Sequence, residues 1–445
     1  MRMEELGFKE INHEPLKRTN KPYKIYAELI DEETQKQFED VLKAPFVTQA
    51  SLMPDAHAGY TMPIGAVCSC KDVIVPQFVG FDIGCGMCAY KTDFTKEEIE
   101  SKAKVIYDQI IKKIPLGFKT HKNHQSFKSD LDATDFAKTV LNSIGLKQLG
   151  TLGDGNHFIE IGYGKDNMAW IVIHSGSRGL GHKIATHYMI EAYLQENNPQ
   201  DRASKLIEEF ENRNKVFKEK NPNAYEKALN KYKNKQLLAL NKKLNPDNIK
   251  GIWGLDVNSR LGKEYIKDLN FALNFALENR KLMIQRIVEG LNEVFDTTFE
   301  FKFDDKSRFI NRNHNHAEFD EQRGEWIHRK GATHAKKGMQ GVIPGNMRDG
   351  SFIVVGKGNN DSLESSSHGA GRVMSRREAR NKLSMEDFQN SMRGITGTVD
   401  ENTIDESPFA YKDIFEVMEL QKDLVDVVEH IKVIINVKDS QKRKF

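Results

Sequence analysis

Residues 169–181 read AWIVIHSGSRGLG, and the character of the chain changes at the sixth of them. The first five side chains are apolar or aromatic, which predicts a short buried strand over 169–173. This strand runs directly into a turn with three glycines, and a helix is expected after it. A strand, a glycine-rich turn and a helix in this order direct backbone N–H groups towards a phosphate. The stretch therefore predicts a fold of strands and helices with a phosphate-binding turn.

The composition limits the class of protein. The 445 residues suffice for two or three average domains, or for one large domain with an insertion. The net charge is only +2, so a nucleic-acid partner would have to be bound by a local basic patch. No apolar run approaches about 20 residues, and the charged first ten residues lack the apolar segment of a signal peptide. We therefore expect no membrane partner and a cytoplasmic location.

The four cysteines, Cys68, Cys70, Cys85 and Cys88, are expected to be reduced thiols in such a chain. Two alternatives are a structural zinc site made of all four and a redox pair of Cys85 with Cys88. The Cys-x-Cys spacing of Cys68 and Cys70 fits neither well, because on a strand both side chains would share a face and pack. The preferred interpretation is that Cys85 alone serves as a metal ligand.

Apolar periodicity, capping residues and helix breakers predict helices and strands in mixed order. In the first half we expect a strand over 23–30, a helix from Asp31 that ends before Pro45, and a helix from the Thr95 capping box to about Lys113. Between the two helices, residues 50–93 are expected to form strands joined by loops that carry Asp55, His57, Asp82 and Cys85. In the second half we expect a helix from about Gly262 to Leu291, whose core-facing residues are Ile266, Leu269, Leu273 and Leu277. A strand through Phe299, Phe301 and Phe303 and a loop-rich stretch over 311–376 are expected to follow. The last part is expected to form a helix near 414–427, a strand over 433–437 and a frayed basic tail over 441–445.

Residues 197–250 differ from the rest in composition, with 13 Lys/Arg against 7 Asp/Glu. Helical spacing broken at Asn221-Pro222 predicts two exposed helices, an inserted hairpin that is either a solvated pair or a basic arm for RNA. Segments that offer reactive side chains extend from residue 55 to residue 438, so they must converge in one folded unit. We predict an α+β fold, a single domain over 1–445 of mixed β-sheets flanked by helices, with a helical insertion at 197–250.

Four short segments rich in glycine or asparagine offer five metal ligands. The candidate ligands are Asp82, Cys85, His157, His174 and His314. A thiolate can bridge two cations, so these five suffice for two partly open sites of the kind that assist phosphoryl transfer. Mixed Asp, His and Cys ligands do not select among Mn, Zn, Fe and Co. Each segment alone could be ordinary loop chemistry, while Asp55 and His57 are expected to support the site rather than to bind metal.

His368 lies among small residues in Ser-His-Gly-Ala-Gly-Arg, which lets a bulky electrophile approach its ring. A neutral imidazole can attack the α-phosphate of a nucleotide and pass the nucleotide on through a labile P–N bond. The alternative is that His368 is a further metal ligand.

Other residues are candidates for binding a nucleotide or RNA. Glu160 could accept hydrogen bonds from a guanine edge, and Lys438 could contact the base. The remaining nucleotide candidates are Asn156, Pro344, Gly345, Asn346, Met347, Ser351, Gly369, Ala370 and Gly371. Arg178, Arg372, Arg329 and Lys330 could bind RNA phosphates, although each could equally be a solvated surface cation.

These segments together resemble the RtcB family of RNA-splicing ligases over about residues 50–438. The motifs that carry the resemblance are Asp-Ile-Gly-Cys-Gly, Gly-Asp-Gly-Asn-His-Phe, His-Ser-Gly-Ser-Arg-Gly, His-Arg-Lys-Gly-Ala-Thr, Pro-Gly-x-Met and His-Gly-Ala-Gly-Arg. The resemblance implies that the five candidate ligands bind two Mn²⁺ ions and that His368 becomes guanylylated. It also implies that Asn156, Glu160, Ser351, Tyr411 and Lys438 surround the guanine nucleotide. Asn346, where the family commonly has serine, and Ser367, where cysteine is frequent, depart from the pattern.

The implied reaction joins an RNA 3′-phosphate or 2′,3′-cyclic phosphate to a 5′-hydroxyl with GTP as cofactor, in tRNA splicing or RNA repair. His368 would take GMP from GTP, a cyclic end would be opened by water, and GMP would pass to the RNA 3′-phosphate before the 5′-hydroxyl displaces it. The partners implied are RNA with these ends, GTP and an archease-type activator. Two rivals are a dinuclear metal phosphoesterase that opens cyclic phosphates without ligation, and a non-catalytic RNA-binding protein.

Overall fold

The computed structural model describes residues 3–17, 19–240, 244–246 and 249–440. The tail predicted at 441–445 lies outside these residues. The strands of the described residues are β1 (Lys9–Glu10), β2 (Tyr23–Ile25), β3 (Leu29–Ile30), β4 (Val47–His57), β5 (Ile64–Cys70), β6 (Val73–Ile74), β7 (Gly86–Thr95), β8 (Phe158–Tyr163), β9 (Met168–Ser175), β10 (Leu255–Asp256), β11 (Phe309–Asn313), β12 (Asn315–Asp320), β13 (Glu325–Lys330), β14 (Ala332–His334), β15 (Gln340–Pro344), β16 (Ser351–Gly356), β17 (Ser365–Ser367), β18 (Thr396–Gly397) and β19 (Val425–Val437).

Helices occur between and around these strands. They are α1 (His13–Leu16), α2 (Glu32–Lys43), α3 (Pro76–Val79), α4 (Lys96–Ser101), α5 (Ala103–Lys113), α6 (Asp135–Val140), α7 (Leu146–Gln148), α8 (Arg178–Glu196), α9 (Pro199–Arg213), α10 (Lys215–Lys220), α11 (Pro222–Leu240), α12 (Arg260–Phe295), α13 (Arg376–Lys382), α14 (Met385–Ser391) and α15 (Ile414–Leu420). None of the helices in the described ranges is long and apolar enough to cross a bilayer. The α+β class predicted from the sequence is confirmed.

Two large sheets organise the fold. The larger has eight strands in the order β11-β7-β9-β8-β19-β16-β15, with β18 pairing to β19. Its end strands β11 and β15 contact each other, so the sheet nearly closes on itself. Helices α5 and α12 cover its outer face through a core that includes Ile106, Ile110, Ile284 and Ile287. The second sheet has the order β12-β13-β5-β4-β2 and lies under α2.

Several local predictions are confirmed. Asp31 caps α2 by accepting from the backbone N–H of Thr34, and the helix ends at Lys43, before Pro45. Thr95 and Glu98 form the expected capping box, although the helix is interrupted at Lys102. The strand predicted at 169–173 is the centre of β9, and α8 follows the glycine-rich turn.

Other local predictions are wrong, each because tertiary packing overrides a local pattern. Asp55 and His57, expected in loops, lie within β4, and 23–30 forms two short strands rather than one. Residues 311–376, expected to be loop-rich, contain β12 to β17, whose glycine-punctuated strands are too short to give a sequence signal. The last helix ends at Leu420, because the β-branched residues after Val425 join β19 and pair with β16.

The aromatic alternation at Phe299, Phe301 and Phe303 does not form a strand. The first two rings instead anchor an irregular segment, with the Phe301 and Tyr90 centroids 4.7 Å apart. The core face of α12 is also rotated from the prediction. Leu269 is buried, but Ile266, Leu273 and Leu277 are half-buried, while Ala272, Phe275 and Ala276 form the centre of the face.

The described part of 197–250 contains α9, α10 and α11 rather than the two predicted helices, and that this stretch is an insertion stays a prediction. The first half is divided at Asn214, and α9 contacts α11. Phe210 stacks on Tyr232 with ring centroids 4.6 Å apart, which gives this stretch a thin aromatic seam of its own. That 1–445 forms a single domain stays a prediction.

Candidate active site

The register of the large sheet brings four of the five predicted ligands together at the ends of neighbouring strands. Gly86 of β7 pairs with Asn313 of β11 and with Ser175 of β9, and Phe158 of β8 pairs with His174. The residues next to these positions are Cys85, His314 and His157. Because the paired strands begin or end at the same level, their terminal side chains converge. Asp82 joins them from the turn that precedes Cys85.

The five side chains form one connected group of contacts. The Cys85 Sγ lies 3.3 Å from the Nε2 of His157 and 3.1 Å from the Nε2 of His174. The second imidazole lies 3.2 Å from the Nε2 of His314, and an Asp82 oxygen lies 3.0 Å from the Nε2 of His157. All three histidines and Cys85 are at most 4% exposed. We call Asp82, Cys85, His157, His174 and His314 the ligand cluster.

The donor set of the ligand cluster fits a divalent cation. The Nδ1 atoms of His157 and His174 donate to the backbone carbonyls of Leu152 and Asn156. Their Nε2 atoms therefore carry lone pairs that face one another and the Cys85 sulfur, an arrangement that a cation satisfies. Burial and neighbouring histidines hold the pKa values of His174 and His314 well below the ordinary value, so both rings are neutral.

A second group of soft ligands lies in the five-stranded sheet. Cys68 and Cys70 of β5 and His328 of β13 are fully buried, and their candidate ligand atoms lie within 4.8 Å of one another. The Nε2 of His328, however, accepts from the backbone N–H of Val75 at 2.9 Å, and its Nδ1 lies 3.2 Å from the carbonyl of Trp326. This imidazole has no lone pair left for a metal. The group therefore packs within the sheet, as the Cys-x-Cys spacing indicates.

His368 follows β17 and lies beside the ligand cluster, with its ring centroid 4.7 Å from that of His314. Its Nδ1 is 2.7 Å from an Asp55 carboxylate oxygen, which also accepts from the backbone N–H groups of His368 and Gly369 at 3.0 and 3.2 Å. Asp55 is fully buried, and despite that burial the neighbouring His368, His57 and Lys412 keep its pKa below the ordinary value. The carboxylate is thus ionised, Nδ1 carries the proton, and Nε2 keeps its lone pair.

A cavity of about 510 Å³ opens at His368. Predicted residues that line it are His174, Asn156, Pro344, Gly345, Asn346, Met347, Gly369, Ala370, Gly371, Arg372, Tyr411 and Lys438. Glu160 and Ser351, predicted to contact the nucleotide, are buried and are not among the residues that line the cavity. Burial raises the pKa of Glu160 to about 8, although the nearby Ser351 hydroxyl and Lys438 ammonium oppose the shift. One Glu160 oxygen has no hydrogen-bond partner in the described part of the chain.

Glu406, which sequence reasoning missed, organises the cations of this cavity. Its buried carboxylate accepts from the Lys438 Nζ and the Tyr411 hydroxyl, both at 2.7 Å, and pairs with Arg372 and Arg376. Glu406 lies in a short acidic stretch without helical or strand periodicity, so only the tertiary structure identifies this residue.

The predicted phosphate-binding cations have internal partners. Arg178 begins α8 with φ of +56° and donates to the carbonyl of Gly117 at 3.0 Å. Arg372 donates to the carbonyl of Asp405 and lies over the Tyr411 ring. The buried Arg329 pairs with the partly exposed Glu318, and the Lys330 Nζ is bonded to the carbonyls of Tyr60 and Met62. A role for these cations in RNA binding stays a prediction.

Comparison with known proteins shows which family the chain belongs to. The family model described as tRNA-splicing ligase RtcB matches residues 37–143 and 132–439. The chain belongs to the RtcB family. RNA-splicing ligase RtcB of Escherichia coli (strain K12) is 32% identical over 451 aligned residues, which cover 96% of this chain and 100% of the relative. The tRNA-splicing ligase RtcB proteins of Methanococcus maripaludis and Thermococcus kodakarensis are each 27% identical, covering 89% and 91% of this chain and 89% and 91% of their own lengths.

The RtcB family is a family of ligases, and the match to it confirms the resemblance inferred from the motifs. The His/Cys group within the ligand cluster agrees with a metal-dependent enzyme. Sequence reasoning had assigned Asp55 only a supporting position, and its contact with His368 joins residues 313 positions apart.

Proposed function

We propose that this RtcB family member is a GTP-dependent RNA ligase that joins RNA 3′-phosphate or 2′,3′-cyclic phosphate ends to 5′-hydroxyl ends. The observation that carries the proposal is the position of His368. Its Nδ1 is bonded to Asp55, its free Nε2 belongs to a cavity of nucleotide size, and its ring lies against the ligand cluster. A nucleophile with this environment suits nucleotidyl transfer better than simple hydrolysis.

The reaction begins with attack of the His368 Nε2 on the α-phosphorus of GTP. A P–N bond forms, the bond to the pyrophosphate oxygen breaks, and pyrophosphate leaves. Asp55 keeps the proton on Nδ1 and stabilises the positive charge that develops on the ring, as in other carboxylate–histidine pairs. We propose that Glu160 and Lys438 receive the guanine edge, because guanine presents both donors and an acceptor there.

The guanylyl group then moves to the RNA. An oxygen of the RNA 3′-phosphate attacks the same phosphorus, the P–N bond breaks, and His368 regains its lone pair. The RNA 5′-hydroxyl next attacks the activated 3′-phosphate, forms the new phosphodiester and releases GMP. The ligand cluster would hold two Mn²⁺ ions, which supply Lewis-acid stabilisation to the phosphate oxygens. Asp82, Cys85, His157, His174 and His314 are the proposed ligands.

The cellular setting follows from the same chemistry. The described structure contains four free thiols, which supports a reducing compartment such as the cytoplasm. We propose tRNA splicing or RNA repair as the process, and the archease-type activator stays a prediction.

The deciding experiment is incubation with α-³²P-GTP and Mn²⁺, followed by denaturing electrophoresis of the wild type and of His368→Ala. We expect an acid-labile, alkali-stable label on the wild type and none on the variant. A well-folded, metal-loaded wild type without label, but with hydrolysis of an RNA cyclic phosphate, would support the phosphoesterase alternative instead.

A further inference from the structure

The connection between α5 and α6 has an unusual composition. Residues 115–129 read PLGFKTHKNHQSFKS, with three lysines, two histidines, two phenylalanines and no acidic residue. We call residues 115–128 the basic loop. Its Lys119, Lys122, His124 and Lys128 are exposed. The net charge of the whole chain is only +2, so the chain as a whole attracts a polyanion weakly. A polyanion would instead be bound by a local group of cations such as this one.

The basic loop is attached directly to the backbone that supports the ligand cluster. The N–H of Gly117 donates to the carbonyl of Gly153 at 2.8 Å, and the N–H of Leu152 donates to the carbonyl of Pro115 at 3.0 Å. Leu152 is also the residue whose carbonyl accepts from the Nδ1 of His157. The loop therefore begins two hydrogen bonds away from a proposed metal ligand.

The rest of the loop is held in a defined conformation. Phe127 packs edge-on against Phe271 and Phe275 of α12, with centroids 5.6 and 5.3 Å apart. Arg286 donates to the His121 ring and to the Gln125 side chain, both at 2.6 Å. A loop that is fixed before binding loses little conformational entropy when a ligand arrives.

The two phenylalanines of the loop have opposite environments. Phe127 is packed against α12, whereas Phe118 is 77% exposed, the largest value among the large hydrophobic side chains of the described residues. Gly117 fixes the position of Phe118. The φ of Gly117 is +62°, and a Cβ at Gly117 would lie 2.5 Å from the Asp439 carboxylate, so no other residue fits at this position. Single exposed apolar side chains are common. An exposed ring among lysines beside a phosphoryl-transfer site is the combination that proteins use for single-stranded nucleic acid.

We propose that Phe118 stacks on a base of single-stranded RNA next to the join, while Lys119 and Lys122 bind the adjacent phosphates. The proposal rests on the proposed function, and it commits to a single strand because bases are available for stacking only when they are unpaired. The cavity at His368 does not include Phe118, so the RNA and nucleotide sites are separate.

The test measures binding of a fluorescein-labelled single-stranded RNA with a 3′-phosphate to full-length, Mn²⁺-loaded protein. Phe118→Ala should weaken binding about 5- to 150-fold, the effect of removing one stacked base. Phe118→Trp should retain affinity, whereas Phe118→Leu should lose it, because leucine preserves the apolar volume but not the ring. Phe303→Ala, at a residue 56% exposed in another loop, is the matched control and should bind as the wild type does.

A second arm tests the lysines. In Lys119→Gln/Lys122→Gln the slope of log affinity against log salt should fall by about 1.4, or about 0.7 for each phosphate contact to a single strand. Phe118→Ala and Phe118→Leu that both bind within twofold of the wild type would overturn the proposal. Binding is measured without GTP, so a wild type that binds RNA through Phe118 but takes no label from GTP would contradict the proposed function alone.

Discussion

If His368 is guanylylated as proposed, replacing Asp55 by asparagine should slow that step without weakening the proposed binding of GTP. One Asp55 oxygen accepts from the His368 ring at 2.7 Å and from the backbone N–H groups of His368 and Gly369 at 3.0 and 3.2 Å. The substitution keeps the shape of the side chain and removes its charge. The reacting nitrogen, Nε2, is not touched, so any effect must pass through Nδ1.

The magnitude follows from these contacts. A hydrogen bond to a charged group contributes about 1.5–3 kcal/mol and a neutral one about 0.5–1.5 kcal/mol, so each contact weakens by about 1–1.5 kcal/mol. The ring contact alone therefore lowers the rate of labelling about 5- to 13-fold. If the amide nitrogen faces the ring, the proton moves to Nε2 and the loss reaches about 10⁴-fold. That orientation is opposed by the two backbone donors, so we expect the smaller loss.

The assay is single-turnover labelling with α-³²P-GTP over a range of GTP concentrations, with thermal unfolding measured in parallel. We expect a lower maximal rate, an unchanged half-saturating concentration and a folded protein. Asp55→Ala should be slower still, because three N–H groups lose their acceptor. A folded Asp55→Asn variant that is labelled at the wild-type rate would refute the orienting role of Asp55.

Three further predictions concern the ligand cluster and the cations of the cavity. Cys85→Ser should lower the Mn content measured by plasma mass spectrometry after dialysis while circular dichroism stays unchanged; equal metal content would contradict the proposed ligand. Gly153→Ala should weaken metal affinity about 10- to 100-fold in a dialysis titration, because φ is +97° and a Cβ there would overlap Arg178 and lie 2.6 Å from the His157 Nδ1. Glu406→Gln should lower the free energy of unfolding by about 3–5 kcal/mol at pH 7 in urea titrations, because buried cations lose their partner. Although burial opposes it, the cations hold the pKa of Glu406 far below the ordinary value. This stabilisation is therefore complete above about pH 4.5, and the difference between wild type and variant should shrink as the pH falls below it.

The sequence predicted the ligand cluster better than it predicted the elements that hold it. Cys85, His157, His174 and His314 were recognisable because strand ends next to glycine or asparagine leave short, polar sequence signatures. That these side chains converge was predicted, but which strands bring them together was not, since that depends on the register of Gly86 with Asn313 and with Ser175. No hairpin turn joins β7 to β9 or to β11, so no local turn signal in the sequence fixes the register of these pairs.

Packing also explains the mistaken local assignments. Alternating aromatic residues predict a strand only when every second side chain meets the same surface. Phe299 and Phe301 meet Phe94 and Tyr90 from an irregular segment, and Phe303 is 56% exposed with the Lys281 ammonium over its ring. Residues 299–303 alternate as a strand does but have no neighbouring strand to pair with. The alternation alone therefore could not distinguish a strand from an irregular segment.

The candidate active site is composed of parts from two sheets. The ligand cluster belongs to the ends of β7, β8, β9 and β11, whereas Asp55 belongs to β4 of the five-stranded sheet and His368 follows β17. The rings of His314 and His368, 4.7 Å apart, are where the two parts meet. Substitutions in one part should therefore leave the internal hydrogen bonds of the other intact, since those bonds are made within each part. A ligand variant that cannot bind metal should still hold His368 against Asp55, so the loss of metal and the loss of the nucleophile can be measured separately.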